Sequence, residues 1–343
     1  MQIKCVKGMN NIKEIIIYGL GVYGKNLARQ LLVNQQILDI HVIVCMDKNS
    51  IDSDFEYEIG RPEQLESLSY DYIMITSEKW FDDIKRDLVD NYHVKEEKII
   101  HLSTLIKREG KYYCNLCNEK VPLMLDFGYE SPIFVKHKIV GGGKREKCIC
   151  PICGGIDRER WLQFILSEEV HIYDKKATVL HFAPERQIEK KLRNCDNLTY
   201  ITADIEVGRA DRVEDITNIS FSDETFDYII CNHILEHILD ERKAFAELKR
   251  CIKKNGKIIF SVPICWEIDT LEDERIASKQ DKLLMYGQED HVRLYGKDIV
   301  SRLEQNGFEY QYYQVSKVMS VEKMTKMNLL SDDAIWILEK KDK

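Results

Sequence analysis

The chain has 343 residues, 44% of them hydrophobic and 31% charged, which is the balance of a soluble globular protein of two or three domains. Its net charge of −8 argues against a nucleic-acid-binding role, where a basic domain or stripe is expected. No segment approaches the ~18 consecutive apolar residues that would span a bilayer. The opening MQIKCVKGMNNIKE lacks the apolar centre of a signal peptide, so a cytoplasmic location is expected.

The elements divide into three regions, expected as domains at 1–106, 107–160 and 161–343. In the first, IIIYG (15–19) reads as a buried strand running into GLGVYG, with a helix through about Val33. HVIVCMD (41–47), YDYIMITS (70–77) and KIIHL (98–102) read as further strands, and 79–91 carries helical spacing at Trp80, Ile84 and Leu88. Strands alternating with helices imply a parallel sheet covered on both faces. Gly19, Gly21 and Gly24 match a dinucleotide fingerprint: a turn, a close approach for a pyrophosphate, and a helix-to-strand contact. Asp47 ends the next strand, where such folds hold a ribose. NAD or a sugar nucleotide is therefore the candidate ligand here. No Tyr-x3-Lys follows the loop, which argues against a short-chain dehydrogenase. The region resembles small Rossmann-like domains at the front of bacterial sugar-modifying and sugar-transferring proteins.

The second region is poor in strands. It is bounded by Cys114-x2-Cys117 and Cys150-x2-Cys153, with Cys148 as a spare thiol that could compete with Cys150 for a metal. Four thiolates in two such pairs fit a tetrahedral Zn²⁺ and leave no open coordination position, so the expected role is structural. A metal of this kind holds together a segment too small to build its own core. Eleven cysteines, an odd number, with six scattered along the chain, read as thiols of a reducing compartment and not as disulfides.

The third region alternates again. Ala177–Phe182 reads as a strand running into the turn HFAPE, and Leu198–Ala203 as a second strand ending at Asp204. VEDITNISF carries Asp215 and Ile216, and Phe226–Cys231 leads into HILEHILD, read as the opening of a helix. KKNGKIIFSVP follows, with Gly256 expected to cap a helix through a positive φ. GFEYQYYQVS (307–316) and AIWILEK (334–340) close the chain as two strands with no helix between them.

This order resembles a class I S-adenosylmethionine (SAM) methyltransferase of the type 11-like group, here with an N-terminal Rossmann-like domain and a zinc-ribbon insert. The implied fold is α/β: two doubly wound Rossmann-like domains joined by a small zinc-ribbon segment. The resemblance places the ribose on Asp204, the adenine on Asp215 and Ile216, and the methionine ammonium on Glu185. It also lines the cofactor site with His181, Ala183, Ile205, Asn232 and His233. HFAPE departs from the family pattern, because alanine, proline and glutamate stand where glycines are usual. A subset of bacterial methyltransferases carries such a turn.

SAM brings its methyl already activated, so the protein aligns the nucleophile and excludes water. His291 is the candidate base, with Asp290 to orient it and Arg293 to hold an anionic substrate group. His233 is a pocket-floor residue and a second possible base, and His237 a structural one. The expected reaction is methylation of O or N on a small polar acceptor: a sugar, sugar nucleotide or glycan precursor, an expectation resting on the fused N-terminal domain. Two other readings stand beside it: an NAD-dependent oxidoreductase, and a non-catalytic zinc-ribbon interaction protein with degenerate nucleotide folds.

Overall fold

The computed structural model describes residues 12–49 and 55–341. Cys5 and most of the opening stretch read for a signal peptide lie outside them. The chain divides into two compact units. One comprises residues to Tyr112 with the short segments Glu119–Leu125 and Cys150–Gly154; the other comprises the remainder.

The first unit is built on a five-stranded sheet in the order β3-β2-β1-β4-β5. Its strands are β1 (Lys13–Tyr18), β2 (Ile40–Met46), β3 (Ile59–Gly60), β4 (Tyr72–Ile75) and β5 (Ile99–Ile100), and every pairing is parallel. Ile15, Ile16 and Ile17 are fully buried, as expected of a central parallel strand covered on both faces. Helices Val22–Val33 and Phe81–Tyr92 connect these strands.

Four short strands follow: β6 (Tyr112–Cys114), β7 (Glu119–Val121), β8 (Leu125–Phe127) and β9 (Arg145–Ile149). The second unit is dominated by a seven-stranded sheet in the order β12-β11-β10-β13-β14-β19-β18. β10 (Ala177–Phe182), β11 (Leu198–Asp204), β12 (Arg212–Val213), β13 (Phe226–Asn232) and β14 (Ile252–Ser261) run parallel. β18 (Phe308–Gln314) and β19 (Ala334–Lys340) complete the sheet antiparallel. The chain builds outward from β10 through β11 and β12, then returns to β13 on its other side. That reversal opens a crevice at the carboxyl ends of β10 and β13, where open α/β sheets bind their ligands. An insertion after β14 forms a small sheet from β15 (Ile264–Cys265), β16 (Leu271–Glu272) and β17 (Arg293–Gly296).

Three local expectations change. Helical turns Val315–Val318 and Val321–Met327 stand between the last two strands, the second started by the Ser320 side chain accepting from the Lys323 amide. Gly256 lies inside β14, and φ there is not positive. A Cβ at Gly256 would stand 2.7 Å from Ile252 Cγ1 and 3.0 Å from the Asp227 carbonyl, so the requirement is close packing. HILEH makes a single 3-10 turn, Leu235–His237, and the following helix begins only at Glu241, where Asp240 accepts from the Lys243 amide.

Asp333 is buried near the buried pair Arg145–Asp157, whose Nη1–Oδ1 distance is 2.7 Å. Burial, and then the charge of Asp157, push the Asp333 carboxyl up to about 7. A carboxyl raised in the folded state ionises first in the unfolded chain, so folding loses stability as pH rises from about 4 to about 7. Asp333→Asn should therefore leave stability at pH 4 nearly unchanged. At pH 8 it should raise it by at most roughly 4 kcal/mol, measured by denaturant unfolding at the two pH values.

Candidate active site

β10, β11 and β13 end level with one another. Phe182 pairs with Ala203 on one side and Cys231 on the other, so Ala183, Asp204 and Asn232 are the next residues on three adjacent strands. Ala183 turns the chain at φ +44°, a left-handed conformation costing an alanine about 1 kcal/mol, and its amide donates to the Ala203 carbonyl at 2.8 Å. The turn delivers Glu185 back over the strand. Glu185 Oε2 meets His181 Nε2 at 2.8 Å, and Oε1 accepts from Asn232 Nδ2 at 3.5 Å. Burial works to raise the Glu185 pKa, but the electrostatics and hydrogen bond of the His181 ring outweigh it and hold the carboxyl below its ordinary range.

His181 is 0% exposed, and its other ring nitrogen meets the Tyr200 hydroxyl at 2.9 Å. With both nitrogens engaged it orients Glu185 and is not itself open to a cofactor, which corrects its expected place in the pocket lining. Asn232 is fixed by the Ser261 hydroxyl, which donates to Oδ1 at 2.9 Å.

Asp204 accepts from the Glu206 amide at 2.8 Å through Oδ1. Ile205 and Val207 in the loop beyond are exposed, and a Cβ at Gly208 would meet nothing within 4 Å. Asp215 is exposed and forms a turn, with Oδ1 accepting from the Thr217 amide and hydroxyl, each at 2.8 Å. Ile216 is buried in the main core of this unit.

His233 follows β13 at φ +53°, and Glu236 lies in the 3-10 turn. The two side chains meet as expected, His233 Nδ1 to Glu236 Oε1 at 3.4 Å, but across a turn and not along a helix face. Burial pushes His233 well below its ordinary pKa and raises Glu236 to about 8. His291 is buried, and burial, then the neighbouring His237, lower it to about 4. Asp290 does not orient His291: its Oδ2 lies 3.3 Å from His237 Nδ1. The rings of His237 and His291 pack edge to face, with centroids 4.7 Å apart.

Arg293 does not hold a substrate anion. It is buried, with Nη1 donating to the Leu235 carbonyl at 2.6 Å and to the Ile238 carbonyl. Nη2 donates to the Leu239 carbonyl at 3.0 Å, and Nε meets Glu272 at 3.1 Å. Its work is to hold the HILEHIL backbone.

Sequence reasoning missed Arg158 and Glu159, on the helix Asp157–Phe164. Arg158 acts electrostatically on Glu185, His233, Glu236 and His291, and among the described residues its guanidinium makes no hydrogen bond or ion pair. Burial, then the charge of Glu185, push Glu159 up to about 7. The signal was the charge density of IDRER just after the last cysteine pair.

In the first unit Gly19 has φ +95°, Gly21 has open space at its Cβ, and a Cβ at Gly24 would fall 1.9 Å from the Gly19 carbonyl oxygen. The glycines thus have the expected geometry. Asp47 turns inward, accepting from the Leu20 amide at 2.6 Å and the Asn49 amide at 2.8 Å. That spends on the protein's own backbone an amide and a carboxylate that a dinucleotide would use, so the expectation of NAD is not supported. The thiols of Cys114, Cys117, Cys150 and Cys153 all lie within 4.8 Å of one another. Cys148 is buried outside that group, its thiol pushed up to about 12 by burial first, and its carbonyl accepts from Arg160 at 2.8 Å.

Residues 153–260 match the family model described as "Methyltransferase domain", and residues 11–100 match one described as "C2185-like, N-terminal". The uncharacterized protein MJ1123 of Methanocaldococcus jannaschii is 29% identical over 92 residues, 27% of this chain. The match spans 42% of that relative's length. Similar solved structures include the O-methyltransferase of a trans-AT PKS multienzyme from Brevibacillus brevis in complex with S-adenosyl-L-homocysteine. It is 12% identical, with a TM-score of 0.38, over 54% of this chain and 73% of that one. A SAM-dependent methyltransferase from Archaeoglobus fulgidus is 16% identical, with a TM-score of 0.36, over 55% and 95% of the two chains.

Arg293→Ala should destabilise the second unit by ~3 kcal/mol in denaturant unfolding, because three backbone carbonyls lose a charged donor and Glu272 loses one of its two arginines. Arg293→Lys should restore little of it, since an ammonium lacks the planar fork.

Proposed function

We propose that this chain is a SAM-dependent methyltransferase acting on O or N of a small polar acceptor. The observation that carries the reading is the level arrangement of Glu185, Asp204 and Asn232 at the crevice of β10, β11 and β13, inside the stretch that matches a methyltransferase domain. When bound, SAM supplies a methyl group already activated by its sulfonium.

The residues present suit that cofactor. Asp204 presents a carboxylate to the ribose hydroxyls, and Asp215 an acceptor to the adenine amino group. Ile205, exposed after β11, offers an apolar surface to the base. Glu185, held ionised by His181, pairs with the methionine ammonium, and Arg158 with the carboxylate. Ala183 brings the main chain close to the cofactor with only a methyl in the way, a tolerable substitute for glycine.

On the acceptor side His291 carries a buried, unpartnered Nδ1. Its lowered pKa keeps the ring neutral at pH 7, so the lone pair is available to an acceptor proton. His233 closes the floor of the pocket. A cavity of about 380 Å³ reaches Val140, beside the Gly141 backbone that packs on the His233 ring. Trp266 and Tyr312 line it together with Lys138, Gln314 and Lys317. Aromatic faces beside polar groups suit an amphipathic small molecule, which supports a carbohydrate-like acceptor.

Cys114, Cys117, Cys150 and Cys153 are read as a structural Zn²⁺ site. Thiolates at about 2.3 Å from one zinc stand roughly 3.8 Å apart, within the spread of these four sulfurs.

Calorimetric titration with S-adenosylhomocysteine should show micromolar binding. Asp204→Ala and Arg158→Ala should each weaken it tenfold or more, about 1.4 kcal/mol apiece. Unchanged affinity in both variants would remove the cofactor assignment. Metal analysis after chelator-free purification should find zinc that Cys150→Ser loses and Cys148→Ser keeps.

A further inference from the structure

Methyl transfer from a sulfonium needs no metal, yet the acceptor side of this site collects more metal-ligating side chains than proton transfer would use. Glu236, His237 and His291 bring one ligand atom each to within 4.8 Å of one another. Glu236 is 2% exposed and His291 3%. Glu236 Oε2 and His291 Nδ1 are both buried without a hydrogen-bond partner. Orphaned buried polar atoms of this kind are costly, and two on one three-residue cluster call for a partner.

We propose that Glu236, His237 and His291 form a binding site for one divalent transition ion of the zinc class. Two imidazoles and one carboxylate are the donor set that such ions favour over Mg²⁺ or Ca²⁺. Three protein ligands leave coordination open, the mark of a site that also takes water or substrate. Ligands at about 2.1 Å from an ion stand roughly 3.4 Å apart, so closure by about an ångström of side-chain rotation completes the set.

The surroundings have the form of a ligand shell. The carboxylate of Asp290 lies 3.3 Å from His237 Nδ1, which leaves Nε2 for the ion in a carboxylate–histidine–metal arrangement. The Val292 amide donates to the Glu236 carbonyl at 2.8 Å, and Arg293 ties down the carbonyls of Leu235, Ile238 and Leu239. These bonds hold the two ligand-bearing segments at a set spacing. The site shares no residue with the four-cysteine cluster and differs from it in chemistry.

The inference rests on the methyltransferase reading for its purpose. The ion would take an acceptor hydroxyl into its open positions, preferring acceptors with two adjacent oxygens, as in a vicinal diol. The bound O–H would lose its proton to solvent more readily, and the oxygen would then take the methyl from the sulfonium, leaving a neutral thioether. His291 would act as a ligand and not as a free base.

The test is metal content after chelation, reloading with Zn²⁺ and gel filtration. It compares the full chain with His237→Ala and Glu236→Gln, each checked by circular dichroism and by S-adenosylhomocysteine titration. The expected result is one Zn²⁺ fewer per chain in each variant than in the wild type, whatever the cysteine cluster holds. Because Glu236 is buried, the partly exposed His237→Ala variant keeps the test decisive if Glu236→Gln does not fold. Equal zinc in wild type and folded variants overturns the metal site while leaving cofactor binding intact. A zinc difference in a protein that binds no S-adenosylhomocysteine keeps the ion and removes the methyltransferase purpose.

Discussion

The HILEHIL turn of the second unit hangs on one buried guanidinium. Arg293 reaches from β17 to the carbonyls of Leu235, Ile238 and Leu239, at and just beyond a short irregular turn. Glu272 balances its charge, and Arg302 joins Glu272 to Glu241, whose second oxygen accepts from the Tyr295 hydroxyl. A partly buried ion network of this kind adds little net stability over well-packed apolar residues, but it specifies geometry. Here it determines where Glu236 and His237 stand.

A second constraint sits across the crevice. Glu185 is an acid brought under cover beside another, Glu159, and its carboxyl is held below the ordinary range chiefly by His181. The result is a divided site. A negative, pre-oriented edge lies along β10, β11 and β13. An imidazole-rich cluster follows β13, where burial lowers His233 and His291 and raises Glu236. Arg158 acts electrostatically on Glu185 and on His233, Glu236 and His291 alike.

Much of this was legible in the residues. Apolar runs such as IIIY and YIICN announced central parallel strands, and the acid after Leu198–Ala203 announced a strand-end carboxylate. Gly24 announced close packing, which a Cβ 1.9 Å from the Gly19 oxygen bears out. The illegible parts share a cause. Asp47, His181 and Arg293 each had the residue type of a ligand contact, but each is spent on a partner distant in sequence: the Leu20 amide, Tyr200, and the HILEHIL carbonyls. Residue type declares what a group can bond. It does not declare which of its possible partners the fold brings first.

The sequence by itself determined the α/β alternation, the order of signals that resembles a methyltransferase, and the four cysteines paired at ligand spacing. These are local: periodicity, turn chemistry and short intervals need no knowledge of the rest of the chain. Tertiary structure alone decided that Cys148 stands outside the thiol cluster, that Asp290 serves His237 and not His291, and that Glu236, His237 and His291 converge. Those outcomes depend on long-range register and burial, because hydrogen bonds and metal ligands are selected by distances of a few ångströms. Periodicity along a chain does not encode such distances between segments folded together from far apart.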